Sequence, residues 1–452
     1  MKEADPERPC AEVPQEAKQA QELRARWAWT EPGVWTERML GALENGVKGG
    51  KWFSLMDKVF REATLWSGYQ KVAANGGAGG VDHVSVEAYG KRIGDEIAKL
   101  SEALRTQRYR PSAIKRVFIP KLGSRQKRPL GIPTVRDRVV QSALRLVIEP
   151  IFEREFAEHS YGFRPGRGCK DALRQVDQLL REGYLYVVDA DLKSYFDTIP
   201  HARLMKRVQE KVSDGPVLNL IKQFLTQGVM EGMKEWSPEE GTPQGAVISP
   251  LLANIYLNPL DHQMARRGWR MVRYADDLVI LCRSAKEACQ ALEALEQWVL
   301  QAGLQLNRKK TLVANLHERG QSFTFLGYTF KRTVGQGRLG RWPGKKSLKK
   351  LRARVRQHTP RKNGRSLDET IQRVNRTLRG WFEYFRHAHP SAFPEIDGWV
   401  RMRLRNILCK RRRSKGRGRG WSHFRWPNAY FAERGLFSLV AARASASQPP
   451  CG

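Results

Sequence analysis

The stretch Arg273-Tyr274-Ala275-Asp276-Asp277-Leu278-Val279-Ile280-Leu281-Cys282 constrains this chain more than any other. Two short apolar β-forming runs, Met271-Val272 and Leu278 to Cys282, flank adjacent carboxylates, which predicts a hairpin with Asp276 and Asp277 at its turn. Neighbouring like charges raise each other's pKa and oppose folding unless a cation sits between them, so the pattern points to a divalent metal held by hard oxygen ligands. A solvated turn would explain an isolated Asp-Asp pair equally well. The balance shifts with Tyr186-Val187-Val188-Asp189-Ala190-Asp191-Leu192-Lys193-Ser194-Tyr195-Phe196-Asp197, again an apolar strand running into a carboxylate. Two strands presenting Asp191, Asp276 and Asp277 to one point would hold two Mg²⁺ ions roughly 3.5–4 Å apart, the clamp of nucleotidyl transfer. The implied chemistry is a polymerase's.

Charge supports a polyanionic partner. The chain has 452 residues, enough for two to four domains, and 80 Lys+Arg against 46 Asp+Glu give a formal net charge of +34. No apolar run is long enough to span a bilayer, and Met1 to Gln19 lacks the apolar centre of a signal peptide, so a cytoplasmic protein without a membrane role is expected. The six cysteines, at positions 10, 169, 282, 289, 409 and 451, contain no Cys-x-x-Cys pair, which argues against both a zinc module and a disulfide framework.

Along the chain, residues 1 to about 50 mix Pro, Glu, Ala and Arg with isolated tryptophans and predict no packed fold. Apolar spacing predicts one helix over Trp52 to Val72 and another over Val86 to Leu104, separated by the glycine-rich Asn75 to Asp82. Ile114 to Lys121 and Arg128 to Pro133 predict a hairpin whose Lys121 and Arg128 suit a triphosphate. A long helix follows over Thr134 to Phe156, with Arg136, Arg138 and Arg145 on its polar side. Ser160-Tyr161-Gly162-Phe163-Arg164-Pro165-Gly166-Arg167-Gly168 interleaves aromatics with Arg164 and Arg167, a composition suited to bases and phosphates. Gln244, between Pro243 and Gly245 ahead of an apolar helix at Ile248 to Leu257, is a neutral donor and acceptor able to brace nucleotide and template without base choice. Phe323 to Phe330 predicts a single strand, Gly335 to Gly344 a loop, and Ser347 to His358, Ser366 to Phe385 and Phe393 to Leu408 a small helical bundle. Between Arg401 and Trp426 there is no acidic residue, while Arg411, Arg412 and Arg413 form a run suited to salt-dependent phosphate binding.

Three of these segments carry a resemblance. The Tyr-Ala-Asp-Asp tip, the Asp-Leu-Lys-Ser-Tyr-Phe-Asp strand end and the run Gly241-Thr242-Pro243-Gln244-Gly245-Ala246-Val247-Ile248-Ser249-Pro250-Leu251-Leu252-Ala253-Asn254 are similar to the core motifs of group II intron reverse transcriptases, or maturases. Asn375-Arg376-Thr377-Leu378-Arg379-Gly380-Trp381-Phe382-Glu383-Tyr384-Phe385-Arg386 resembles their maturase, or X, domain.

The resemblance implies an α+β right-hand polymerase: fingers over residues 51–180, a palm with an antiparallel sheet over 181–335, a helical thumb over 336–408, and a basic nucleic-acid-binding segment over 409–452. It implies RNA-directed DNA synthesis, binding and splicing of a group II intron RNA, and intron mobility by target-primed reverse transcription. The partners would be intron RNA, template RNA, a DNA primer or target DNA, and dNTPs; whether the chain forms a homodimer is left open. The resemblance also makes Phe196 the ring that excludes a ribose 2′-hydroxyl, Lys310 a helper near the pyrophosphate, and Arg376 and Arg379 RNA contacts, with Leu378, Trp381 and Phe385 as core. No zinc-dependent endonuclease is expected. The rivals are a splicing protein with an idle polymerase site and a free-standing reverse transcriptase recruited to defence or repair; an RNA-dependent RNA polymerase fits Phe196 less well.

Overall fold

The computed structural model describes residues 22–120, 127–232, 234–333, 337–362, 364–413 and 420–446. In chain order its strands are β1 (Ile114–Pro120), β2 (Lys127–Ile132), β3 (Tyr186–Asp191), β4 (Val229–Glu231), β5 (Lys234–Trp236), β6 (Arg270–Tyr274), β7 (Asp277–Cys282), β8 (Leu312–Asn315), β9 (Ser322–Phe325), β10 (Tyr328–Arg332) and β11 (Leu339–Pro343). They form three sheets, ordered β2-β1-β4-β5, β6-β7-β3-β8 and β11-β10-β9.

The sheet β6-β7-β3-β8 is antiparallel throughout and apolar on both faces. Val188, Ala190, Leu278 and Ile280 point into one core, with the helices Val135–Glu153, Ser249–Arg266 and Ala285–Gln301. Val187, Val272, Val279 and Leu281 point into a second, shared with the helix Cys169–Arg181, with β9 and β10, and with the helices Lys345–His358, Leu367–Phe385 and Phe393–Arg411. Because side chains alternate along a strand, a sheet buried on both faces must be apolar at successive positions, as β3 and β7 are. Polar groups can then gather only at its end, where the aspartates lie.

Several expectations change. Residues 22–50 are packed: Trp27, Trp35, Leu40 and Leu43 are buried, and Trp35 Nε1 donates to Leu146 O at 3.0 Å. Isolated tryptophans without a clear period were their only trace in the sequence. The helix expected over Trp52 to Val72 is two, Met56–Val59 and Glu62–Asn75, and Trp52 instead bridges to Val212. Val86–Gly90 and Ile93–Arg105 are likewise separate helices. Phe323 to Phe330 is a hairpin, β9 and β10 joined by Leu326 (φ 47°) and Gly327 (φ 80°), the two positive φ values of a type I′ turn. The loop expected over Gly335 to Gly344 contains β11. The glycine-rich segment packs on the start of the helix Val135–Glu153: a Cβ at Gly80 would lie 2.7 Å from Thr134 N, and Arg138 donates to Ala78 O at 2.7 Å.

Candidate active site

Asp191 ends β3 directly opposite Asp277, which begins β7. Tyr274 pairs with Asp277, so Ala275 and Asp276 form a two-residue hairpin loop, and Ala275 takes the positive φ (58°) that such a loop needs at its first position. Asp189 lies two residues before Asp191 and therefore on the same face of β3. Four carboxylates thus gather at one end of the sheet. Burial is the first cause raising the Asp189 carboxyl to about 7; a Thr324 backbone N–H opposes it, and the Asp277 and Asp191 charges add to it. Asp277 keeps an edge open to solvent, yet its carboxyl is pushed up to about 6, first by desolvation and then by Asp276 and Asp191. Asp276 is raised for the same first reason. Such a cluster favours a bound cation.

Buried chemistry holds the loop in place. Arg273 is 0% exposed; its Nε and Nη2 donate to Asp261 Oδ1 and Oδ2 at 2.7 and 2.5 Å, and Nη1 donates to Asn254 Oδ1 at 3.0 Å and to Ala275 O at 2.9 Å. Its Nη2 also donates to Ser160 Oγ at 2.7 Å. Asn254 in turn donates to Gly162 O at 2.8 Å, and a Cβ at Gly162 would lie 2.3 Å from Ala275 N. The Ser160 to Gly162 segment is therefore a buttress under the Ala275-Asp276 turn. Arg164, expected on nucleic acid, belongs to that buttress: it is 7% exposed, donates to Glu153 Oε1 at 2.7 and 2.9 Å, and donates to Ala157 O and Ser160 O at 2.6 and 2.7 Å. Arg167 bonds to the Glu158 carbonyl and stacks over Tyr161 at 5.7 Å. The composition of this loop thus serves the hairpin first, because a buried guanidinium must find acceptors for all its donors.

Lys310, expected near the pyrophosphate, is paired here with Asp191. Its Nζ donates to Asp191 Oδ1 and Oδ2 at 2.8 and 2.7 Å, and Asn307 Nδ2 donates to Asp191 Oδ2 at 3.2 Å. With both oxygens so engaged, no three His, Cys, Asp or Glu side chains among the described residues converge as they stand to chelate one ion. The donors are nonetheless hard oxygens, and with water completing the octahedron Asp276, Asp277 and an Asp191 released from Lys310 would fit Mg²⁺.

Beside the carboxylates, Phe196, Asp197, Pro243, Gln244 and Arg116 line a cavity of about 230 Å³. Of the adjacent rings, Tyr195 is core, 2% exposed with its hydroxyl donating to Ala253 O at 2.6 Å, and Phe196 faces the cavity. Arg128 Nε donates to Gln244 Oε1 at 2.9 Å, and Gln244 Nε2 donates to the Asp197 oxygens at 3.1 and 3.0 Å. Arg128 and Gln244, 116 positions apart in the chain, thus meet at one wall. Lys121 lies outside the described residues. In the second core Leu378 and Phe385 are buried, Trp381 is half-buried, and Arg376 and Arg379 are exposed on the same helix. Arg411, Arg412 and Arg413 are exposed as well, Arg411 bonding to the Arg365 carbonyl.

Comparison with known proteins meets this geometry. The family described as reverse transcriptase (RNA-dependent DNA polymerase) matches residues 119–330, and the group II intron, maturase-specific domain matches 348–426. Protein YkfC of Escherichia coli (strain K12) is 33% identical over 343 residues, covering 67% of this chain and 85% of that protein. The chain belongs to the group II intron reverse transcriptase family. The group II intron-encoded protein LtrA of Lactococcus lactis subsp. cremoris is 28% identical over 340 residues, 60% of this chain, which spans about half (56%) of that relative. Among solved structures, a partial Cas6-RT-Cas1–Cas2 complex aligns at 24% identity and a TM-score of 0.36, over 55% of this chain and 41% of that one. The reverse transcriptase match begins at the end of β1 and runs into β10, so it contains the whole of the sheet β6-β7-β3-β8, while the maturase-specific match covers most of the three helices of the second core and ends at Trp426. No helix among the described residues is long and apolar enough to cross a membrane.

Proposed function

We propose that this chain copies RNA into DNA at the β3/β6-β7 sheet end and binds group II intron RNA through its basic helical side, promoting splicing and supporting intron mobility. The observation that carries the reading is the register that sets Asp191 against Asp277 with Asp276 at the adjoining turn. Asp191, Asp276 and Asp277 would hold the two Mg²⁺ ions, which supply the positive charge that activates the primer 3′-oxygen and steadies the leaving pyrophosphate. The remaining steps belong to side chains. Arg128 and Lys121 meet triphosphate charge, Gln244 is pinned by Arg128 and Asp197 to present its amide at the cavity wall, and Phe196 sets the cavity's width at the sugar. Lys310 balances Asp191 in the free protein and becomes available to phosphate oxygens when that carboxylate is taken up elsewhere. Alignment and fixed charge would supply most of the rate. On this reading residues 51–180 are fingers, 181–335 palm, 336–408 thumb and 409–452 a basic nucleic-acid-binding segment.

One observation favours a second reading. The Asp191–Lys310 pair occupies a carboxylate that a metal would need, which suits a splicing protein whose polymerase site is idle. Extension of a DNA primer on an RNA template with dNTPs and Mg²⁺ separates the two. Extension is expected; none at any salt, with structured intron RNA still bound, would leave the RNA-binding protein alone.

A further inference from the structure

The short helix Trp421–Arg425 carries the most exposed large apolar side chain among the described residues, Trp421 at 86%, with Phe424 at 81% beside it. The two ring centroids are 5.9 Å apart. Neither ring touches the core, yet the helix is firmly tied down. The next residue, Trp426, is 7% exposed, and the buried Arg405 donates to Trp426 O at 2.9 Å and to Asn428 Oδ1 at 3.0 Å. Cys409 and Ser422 meet at 3.4 Å. Such anchoring would be superfluous for a loose tail, and it fixes two bare aromatic faces in one place.

The chain on either side of the pair carries no negative charge. No Asp or Glu occurs from Gly398 to Ala432. The Arg412 and Arg425 guanidinium groups lie over the Trp426 ring, at 5.8 and 5.7 Å, and Arg425 follows Phe424 directly in the chain. An exposed apolar surface in so basic a stretch suits a ligand that is aromatic and anionic at once. An unpaired nucleic-acid strand is that ligand, because every base has a face to stack and every linkage a phosphate.

We infer that Trp421 and Phe424 form a stacking platform for unpaired bases, with Arg412 and Arg425 holding the adjoining phosphates. This rests on the nucleic-acid reading above and adds to it a site selective for single strands. Stacking is indifferent to the sugar, so DNA and RNA strands are both candidates.

The test uses the full chain and 15-nucleotide oligo(dT) and oligo(U) strands, each with one internal 2-aminopurine, beside a duplex of equal length. Wild type is expected to quench the 2-aminopurine. Trp421→Ala/Phe424→Ala should lose the quenching and bind single strands about tenfold or more weakly, the loss expected when stacked rings are removed, with duplex affinity and salt slope unchanged. Trp421→Phe should retain quenching, which separates stacking from misfolding. Weakening of one strand type alone would assign the platform to that nucleic acid. Unaltered single-strand binding, equal loss on duplex, or Trp421-dependent self-association of wild type would overturn the platform. Primer extension by wild type tests the polymerase reading independently.

Discussion

At Asp191 the proposed metal would compete with a lysine for one carboxylate. The Lys310 ammonium takes both oxygens at 2.7 and 2.8 Å, and a divalent ion needs the same oxygens. Lys310 is half exposed, and an exposed ion pair is worth about 1 kcal/mol or less, so Lys310→Met should tighten Mn²⁺ binding to the free protein by up to about fivefold. Electron paramagnetic resonance of free Mn²⁺ reads this directly; unchanged or weaker binding would mean that the ammonium does not compete. Proton competition has a definite sign too. Asp189 and Asp277, raised to about 7 and about 6, hold protons in the folded protein that the unfolded chain has already released near pH 4. Their contribution to metal-free stability is therefore present at low pH and lost as pH rises through about 6 to 7. A metal held by Asp277 would have to displace its proton, so Mn²⁺ affinity should climb as pH rises towards about 6. Asp276 and Asp277 were legible as adjacent charges between apolar runs. Asp189 was not singled out, although its position two before Asp191 on a strand is the period that gives two side chains one face.

The β6-β7 hairpin is held from below, and its support is where an element-scale perturbation should show. Arg273→Met would leave Asp261 buried without its partner, at a cost of about 3–5 kcal/mol. Urea unfolding would measure it; a loss below about 1 kcal/mol would contradict the buried network. Gly162→Ala should lower the melting temperature and displace the turn together, since its Cβ would meet the backbone at Ala275 N at 2.3 Å, and extension activity should fall; unchanged melting temperature and activity would contradict the close approach. This support was only half legible. The Gly162 and Arg164 loop stood out by composition, but composition does not say whether a guanidinium meets a phosphate or a buried carboxylate; burial decides it for Glu153. Likewise apolar periodicity located the helices but missed breaks at Phe60 and Lys91, where the apolar stripe continues although the backbone turns. The Leu326-Gly327 turn was hidden because leucine rarely takes positive φ.

Over the whole molecule, one sheet separates two cores, and the charged surface lies outside both. The basic residues past Arg401 should make binding of structured RNA fall steeply with salt, and Arg411→Gln/Arg412→Gln/Arg413→Gln should flatten the slope of log K against log salt by roughly 0.7 to 0.9 for each phosphate left without its arginine. An unchanged slope would mean that other cations hold those phosphates. That apolar strands end in the carboxylates was legible, because the change from apolar run to charge is abrupt in both segments. That residues 22–50 join the first core was not, because three tryptophans without periodicity do not reveal that Trp35 reaches Leu146. The central claim is that Asp191, Asp276 and Asp277 make one nucleotidyl-transfer site. The most direct measurement is single-turnover addition of one dNTP to a DNA primer on an RNA template, comparing wild type with Asp191→Asn and Asp276→Asn. Each variant should slow addition by roughly 10³-fold or more while binding primer-template as wild type does; addition at the wild-type rate by either would contradict the assignment.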